Sequence, residues 1–187
     1  MESTRKDVDM PLSHSRIPCV RRSFLLAPLA WVLPARAQPL IPPSLRDHAT
    51  RLLAILIAAG REAAISAGVK PMPPQISRAL LGFFPDAVLR KIRYASGQAD
   101  AIAIPGLALA YGDIDAVTLA DVILFREERA AREDTKLWAH ELTHVMQYER
   151  WGIEGFAGRY LDDHEAIEKE ARDNADRFVA WSRHARH

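Results

Sequence analysis

The stretch Trp138-Ala139-His140-Glu141-Leu142-Thr143-His144-Val145-Met146-Gln147-Tyr148 decides how this chain is read. It holds no Gly or Pro and consists mainly of good helix formers, which predicts a helix. Residues four apart share one helix face. His140 and His144 can therefore aim their imidazoles at a single ion, with Glu141 beside them and free of ligand duty. The pattern H-E-x-x-H supplies two nitrogens for Zn²⁺ and a carboxylate to take the proton of a water. The apolar Leu137, Leu142, Val145 and Met146 give the same helix a side to bury. A decorative helix face is the alternative reading of these residues.

Working outward, the 187 residues suggest one domain with an appended segment. With 49% hydrophobic and 26% charged residues, the composition is globular. A net charge of +1, without a basic stripe interleaved with aromatics, argues against a dedicated nucleic-acid binder. Cys19 is the single cysteine, so neither an internal disulfide nor a thiolate zinc site can form. Any metal must rely on His and carboxylate.

Upstream, Val20-Arg21-Arg22-Ser23-Phe24-Leu25-Leu26 opens a short apolar run that ends at Ala35-Arg36-Ala37. A basic start, an apolar core and an A-x-A end are the parts of a secretory signal. The run is too short and too interrupted by proline for a transmembrane helix. The paired arginines resemble the bacterial twin-arginine signal, with Val20 and Leu26 departing from its usual residues. The Tat and Sec routes both stay open. The expectation is a signal peptide over 1–37, a Pro-rich leader over 38–43, and a domain over 44–187 that is periplasmic or secreted. After signal cleavage no stable membrane span would remain. The segment removed carries more basic than acidic residues and the only cysteine. What is left is slightly acidic and suits an oxidising compartment.

Within the domain, a long apolar helix is expected from Leu45 after a Ser44 cap, carrying Leu45, Leu52, Leu53, Leu56, Ala59 and Ala63 and stopping at Gly68. Gly60 marks a break or a close contact. Gln75 to Phe84 reads as a short helix, and Asp86 caps another that runs to Tyr94. From Asp100 the period changes. Residues 101–104, 107–111, 116–119 and 122–125 read as strands of a small antiparallel sheet. Its edge can accept an extended peptide by strand addition, or it can simply cover the back of the helix. Residues 126–136 read as a solvated loop, with Asp134 or Thr135 as helix cap. Trp151-Gly152 ends the central helix, and Asp162-Asp163 starts a final one on which Ile167, Ala171, Ala175, Phe178 and Trp181 recur at helical spacing.

A catalytic zinc needs a third protein ligand. The final helix offers His164, Glu165, Glu168, Glu170 and Asp173. Glu168 shares a face with the small Ala171 and Ala175, which would let this helix pack closely against the first. Glu165 and Glu170 are the alternatives.

His140-Glu141-Leu142-Thr143-His144 followed by Glu168-Lys169-Glu170-Ala171 resembles the gluzincin metallopeptidases. Their usual Asp or Asn after the Ala, which often buttresses a zinc histidine, is here Arg172. Asp173 and Asn174 are the candidates to replace it. The metzincin pattern, with a third His shortly after the motif, is absent. The chain resembles more closely the DUF4157 family, domains of unknown function found in bacteria and in proteins linked to contractile injection systems. The resemblance covers roughly Leu80 to Trp181. It rests on Ala116-Val117-Thr118-Leu119-Ala120-Asp121-Val122-Ile123-Leu124-Phe125 and on the stretch from Leu137 to Tyr148. It implies a compact zincin-like α+β domain and a metallopeptidase of unstated substrate.

The expected activity is therefore zinc-dependent hydrolysis of peptide bonds in a peptide or protein substrate. His140, His144 and Glu168 would bind Zn²⁺, and Glu141 would be the general base. Tyr148, Tyr160 and His164 are candidates for the oxyanion donor. The rival expectation is a catalytically weak or inactive zinc-stabilised module that binds an envelope or secreted partner. Oligomeric state is not legible in the residues.

Overall fold

The computed structural model describes residues 43–97 and 115–184, all within a unit spanning Leu40–His187. The expected signal peptide, all of the leader but Pro43, and the expected strands over 101–104 and 107–111 lie outside the described residues. In chain order the elements are α1 (Pro43–Ala67), β1 (Lys70–Pro71), α2 (Pro74–Leu80), α3 (Asp86–Lys91), β2 (Arg93–Ser96), β3 (Ala116–Leu119), β4 (Val122–Phe125), α4 (Glu128–Glu133) and α5 (Thr135–His184). This is an α+β arrangement, mostly helical. Among the described residues, no helix is long and apolar enough to cross a membrane.

β4 is Val-Ile-Leu-Phe and is buried at all four positions, as a strand covered on both faces must be. The strand order is β1-β2-β4-β3. β3 pairs antiparallel with β4, with Val117 opposite Leu124, across a turn in which Ala120 takes a left-handed φ of 59°. β2 pairs parallel with β4, with Tyr94 opposite Ile123. The sheet is thus mixed, not antiparallel as expected, because residues 93–96 form a strand where a helix was expected to continue through Tyr94. Tyr94 and Ala95 bury into different apolar clusters, the alternation of a strand. A four-residue window is too short to distinguish that from a helix end.

The alternating residues of the sheet feed two cores. Tyr94, Ile123 and Phe125 join Ile76, Leu80, Trp138 and Phe178. Ala95, Leu119, Val122 and Leu124 join Ile57, Phe156, Tyr160 and Ile167. Trp138 is fully buried, packs against the rings of Tyr94 and Phe125, and donates its indole N–H to the Ala131 carbonyl at 2.8 Å. Two residues before His140, it fixes the motif helix to the sheet. Truncating such a side chain costs about 3–5 kcal/mol.

Several boundaries differ from expectation. α1 begins at Pro43, whose missing N–H is tolerated in a first turn. It runs unbroken through the buried Gly60 and ends where the Gly68 N–H meets the Ala64 and Ile65 carbonyls. Leu45 and Leu52 stand in solvent, and Ile57 and Ala64 carry the buried face instead. α2 stops at Leu80, short of Phe84, because Gly82 turns the chain at φ 92° against the Trp181 ring. The charged stretch 126–136 is not a loop throughout. It contains α4, supported by Arg132–Glu128 and Arg129–Glu133 pairs one turn apart and by the buried Ala131.

α5 opens on Asp134, whose carboxylate accepts the Leu137 N–H at 2.9 Å, an N-cap bond. Its 50 residues are interrupted at Gly152 (φ 70°, ψ 171°) and at Asp163 (φ −155°, ψ 76°). Both breaks fall where a helix end and a helix start were expected. Asp163 accepts the Ala166 N–H at 3.0 Å and so starts the last segment.

Candidate metal centre

The first segment of α5 presents His140 and His144 on one side, with their Nε2 atoms 3.1 Å apart. The break at Gly152 allows the last segment to return beside the first. Bonds across the two segments record that packing: Asn174 donates to Thr143 Oγ1 at 2.8 Å, and Gln147 donates to the Ile167 carbonyl at 3.2 Å. Ala171 and Ala175 are buried there, as small residues at a close approach should be. The return brings Glu168 to the histidines. Its Oε2 is 3.3 Å from His140 Nε2 and its Oε1 is 3.5 Å from His144 Nε2. One donor atom from each residue lies within 4.8 Å of the others.

Glu165 and Glu170, the alternatives to Glu168, are elsewhere. Glu165 is exposed and pairs with Arg172, the residue that stands where the gluzincins have Asp or Asn. Glu170 accepts from Gln147 Nε2 at 3.0 Å and from Arg150 at 3.2 Å. Neither candidate for the missing buttress reaches a histidine. Asn174 holds Thr143, and Asp173 pairs with Lys169 at 2.5 Å. The partner of His144 is Gln147, whose Oε1 lies 2.8 Å from Nδ1. Gln147 is one helical turn past His144, so the signal for it was present in the motif itself.

Glu141 stands apart from the three donors. It is buried, and its Oε2 accepts the Thr118 hydroxyl from β3 at 2.7 Å. Nothing in the sequence singled out Thr118, since a strand register is needed to bring it there. A cleft of about 220 Å³ is lined by His140, Glu141, His144 and Glu168, with Asp115 to Thr118 on one wall and Leu137 and Phe156 nearby. Among the described residues lining it, none of Tyr148, Tyr160 and His164 is present. The Tyr148 hydroxyl is buried and donates to the Thr118 carbonyl at 3.3 Å, and burial raises its pKa far above the ordinary phenol value. Tyr160 stacks on Phe156.

Electrostatically the cluster is a mutual trap. Burial opposes charge on Glu168, yet its contacts with the His140 and His144 imidazoles hold its carboxyl well below the usual carboxylate range. Burial disfavours the His144 imidazolium, and the Glu168 carboxylate with the Glu141 charge outweighs that, so its pKa is raised. Two ring nitrogens facing at 3.1 Å with a carboxylate across both form a donor set that a cation would satisfy. Two imidazoles and one carboxylate are ligand types of a catalytic zinc, and they also suit other divalent ions. His140 and Glu168 keep 20% and 19% of their side chains exposed, so the cluster is open to solvent.

Fold and site together define an α+β domain with a helix-borne His-His-Glu cluster able to hold a metal. Residues 71–152 match the family model described as the eCIS core domain, which is the DUF4157 family. The match starts before Leu80 and ends short of Trp181. It includes β3, β4, His140, Glu141 and His144, and it stops before Glu168. No curated protein and no solved structure matches the chain.

Proposed function

We propose that the chain is an exported zinc-dependent metallopeptidase of zincin type. The observation that carries this reading is that Glu141 lines the same cleft as the convergent His140, His144 and Glu168 donors without being one of them. A structural metal site has no use for a carboxylate beside the ion, whereas hydrolysis needs a base there. Zinc, when bound, supplies Lewis acidity, lowering the pKa of a water and polarising a carbonyl. Glu141 accepts the proton of the attacking water and returns it to the leaving amine. Thr118 holds one Glu141 oxygen and so orients the other. An extended peptide would lie along residues 115–118, since β3 is at the edge of the sheet among the described residues. Export to the periplasm or beyond rests on the signal-like residues 20–37.

A second reading is a zinc-stabilised binding module. It is favoured by the lack of any of the three candidate oxyanion donors among the described cleft residues. Incubating wild type and Glu141→Gln with a peptide library, with and without chelator, separates the two. Chelator-sensitive cleavage by wild type alone, with equal zinc in both proteins, supports the peptidase. Equal zinc without cleavage in either supports the module, and absence of zinc from the wild type rejects both.

A further inference from the structure

The Gln147 amide is fully buried, and its orientation is dictated by its neighbours. Its nitrogen faces the Ile167 carbonyl at 3.2 Å and Glu170 Oε2 at 3.0 Å. Both are acceptors only, since a carbonyl and a carboxylate bring no proton. The NH₂ end of Gln147 must therefore point at them, and the Oε1 end must point at His144 Nδ1, 2.8 Å away. An amide oxygen can only accept, so Nδ1 must carry a hydrogen. In the neutral ring that leaves the lone pair on Nε2, the atom that faces His140 and Glu168.

We infer that Glu170 is a positioning residue that, through Gln147, locks His144 in the tautomer able to bind a metal through Nε2. Glu170 touches neither histidine. It acts by occupying the amide of Gln147, and Arg150 holds its other oxygen at 3.2 Å from the solvent side. The Ile167 carbonyl satisfies one N–H of Gln147, and Glu170 satisfies the second. Removing Glu170 leaves that second N–H in search of an acceptor and leaves the Ile167 carbonyl alone to hold the amide, which weakens its preference for one orientation. With the amide turned, a donor faces Nδ1, the proton moves to Nε2, and the metal-facing lone pair is lost. Partners of this kind are usual for metal-bound histidines, commonly as a direct carboxylate or carbonyl. Here the carboxylate acts at one remove. The assignment rests on the proposed metal site only in what the tautomer is for.

The test uses the full-length protein, metal-free and zinc-loaded. Long-range ¹H–¹⁵N NMR reads the His144 tautomer without metal, and chelator competition reads zinc affinity. Metal-free wild type, read at a pH where the ring is neutral, should show a single form with its hydrogen on Nδ1. Glu170→Ala should show a mixture and bind zinc about tenfold more weakly. Glu170→Gln, whose amide oxygen can still accept from Gln147, should restore both readings. Glu170 keeps 37% of its side chain exposed, which makes these substitutions tolerable to the fold. A neutral wild-type His144 with its hydrogen on Nε2, or a Glu170→Ala protein with the wild-type tautomer, overturns the inference. Wild type with the Nδ1–H form but no zinc affinity leaves the inference standing and sinks the metal reading instead.

Discussion

Thr118 Oγ1 lies 2.7 Å from Glu141 Oε2 and 3.3 Å from the Glu141 carbonyl oxygen, so one hydroxyl of β3 sits over a single residue of α5. A hydroxyl has one proton to give, and the shorter contact assigns it to the carboxylate. Both residues are buried, Thr118 at 6% exposure and Glu141 at 3%. Replacing Thr118 by Val keeps the shape and removes the donor. A hydrogen bond to a charged group contributes about 1.5–3 kcal/mol. Urea unfolding of Thr118→Val should show a loss of that order, and Thr118→Ser should recover most of it. An unchanged midpoint in the Val variant would mean that the carboxylate finds another donor.

A ligand that binds only the folded chain stabilises it by mass action, about 2.7 kcal/mol at a hundredfold excess over Kd. Zinc should therefore raise the unfolding midpoint of the wild type. It should do little for Glu168→Ala or His144→Ala, where a donor of the cluster is gone. Elemental analysis of the same samples checks that the shift follows bound metal.

The Gly152 break has φ 70° and ψ 171°, a region open almost only to glycine, and an added Cβ would meet nothing within 4 Å. The penalty for Gly152→Ala is thus backbone strain alone, about 1–3 kcal/mol. Because this break allows Glu168 to return to the histidines, the variant should also lose zinc affinity. Calorimetry and titration on one preparation separate a mere loss of stability from a misplaced ligand.

Asp121, in the turn between β3 and β4, accepts from Arg61 of α1 at 2.5 and 3.1 Å. The Arg61 hydrogen bond, against some burial, holds its carboxyl below the ordinary value. A carboxyl with a lowered folded pKa adds stability above its unfolded pKa of about 3.9. That contribution fades as pH falls through the lower folded value. Both side chains are about a third exposed, so the pair contributes about 0.2–1 kcal/mol at neutral pH. Asp121→Asn should be less stable than wild type at pH 7 by that amount, and the gap should close well below pH 4. A gap that persists into strong acid would point to the turn and not to the ion pair.

Local chemistry made much of this molecule legible beforehand. The strands 116–119 and 122–125, the Asp134 cap, and the breaks near 152 and 163 each depend on a few adjacent residues, and their boundaries agree with the structure. The facing of Glu168 toward the histidines followed from Ala171 and Ala175 at helical spacing. What was hidden depended on partners distant in sequence. β2 was concealed because Arg93-Tyr94-Ala95-Ser96 is a strand only beside β4. Thr118 acquires a role only through the packing of β3 on α5. Gln147 stood in the motif stretch and Glu170 among the candidate ligands, but the bond between them is visible only once the two segments of α5 are set side by side.

The continuity of α5 has a kinetic consequence. His140, Glu141, His144 and Glu168 all belong to one run of chain, so bringing the donors together closes only a modest loop. The β3 wall reaches the same helix over a similar distance in sequence, 23 residues from Thr118 to Glu141, so loop length alone sets no order between the two. The hypothesis is that an ion, by holding the donors together, breaks this tie, so that capture precedes the closing of the cleft by β3. Stopped-flow refolding would then be faster with zinc present. Equal rates with and without the ion would mean that the cleft forms first and the metal enters a finished site.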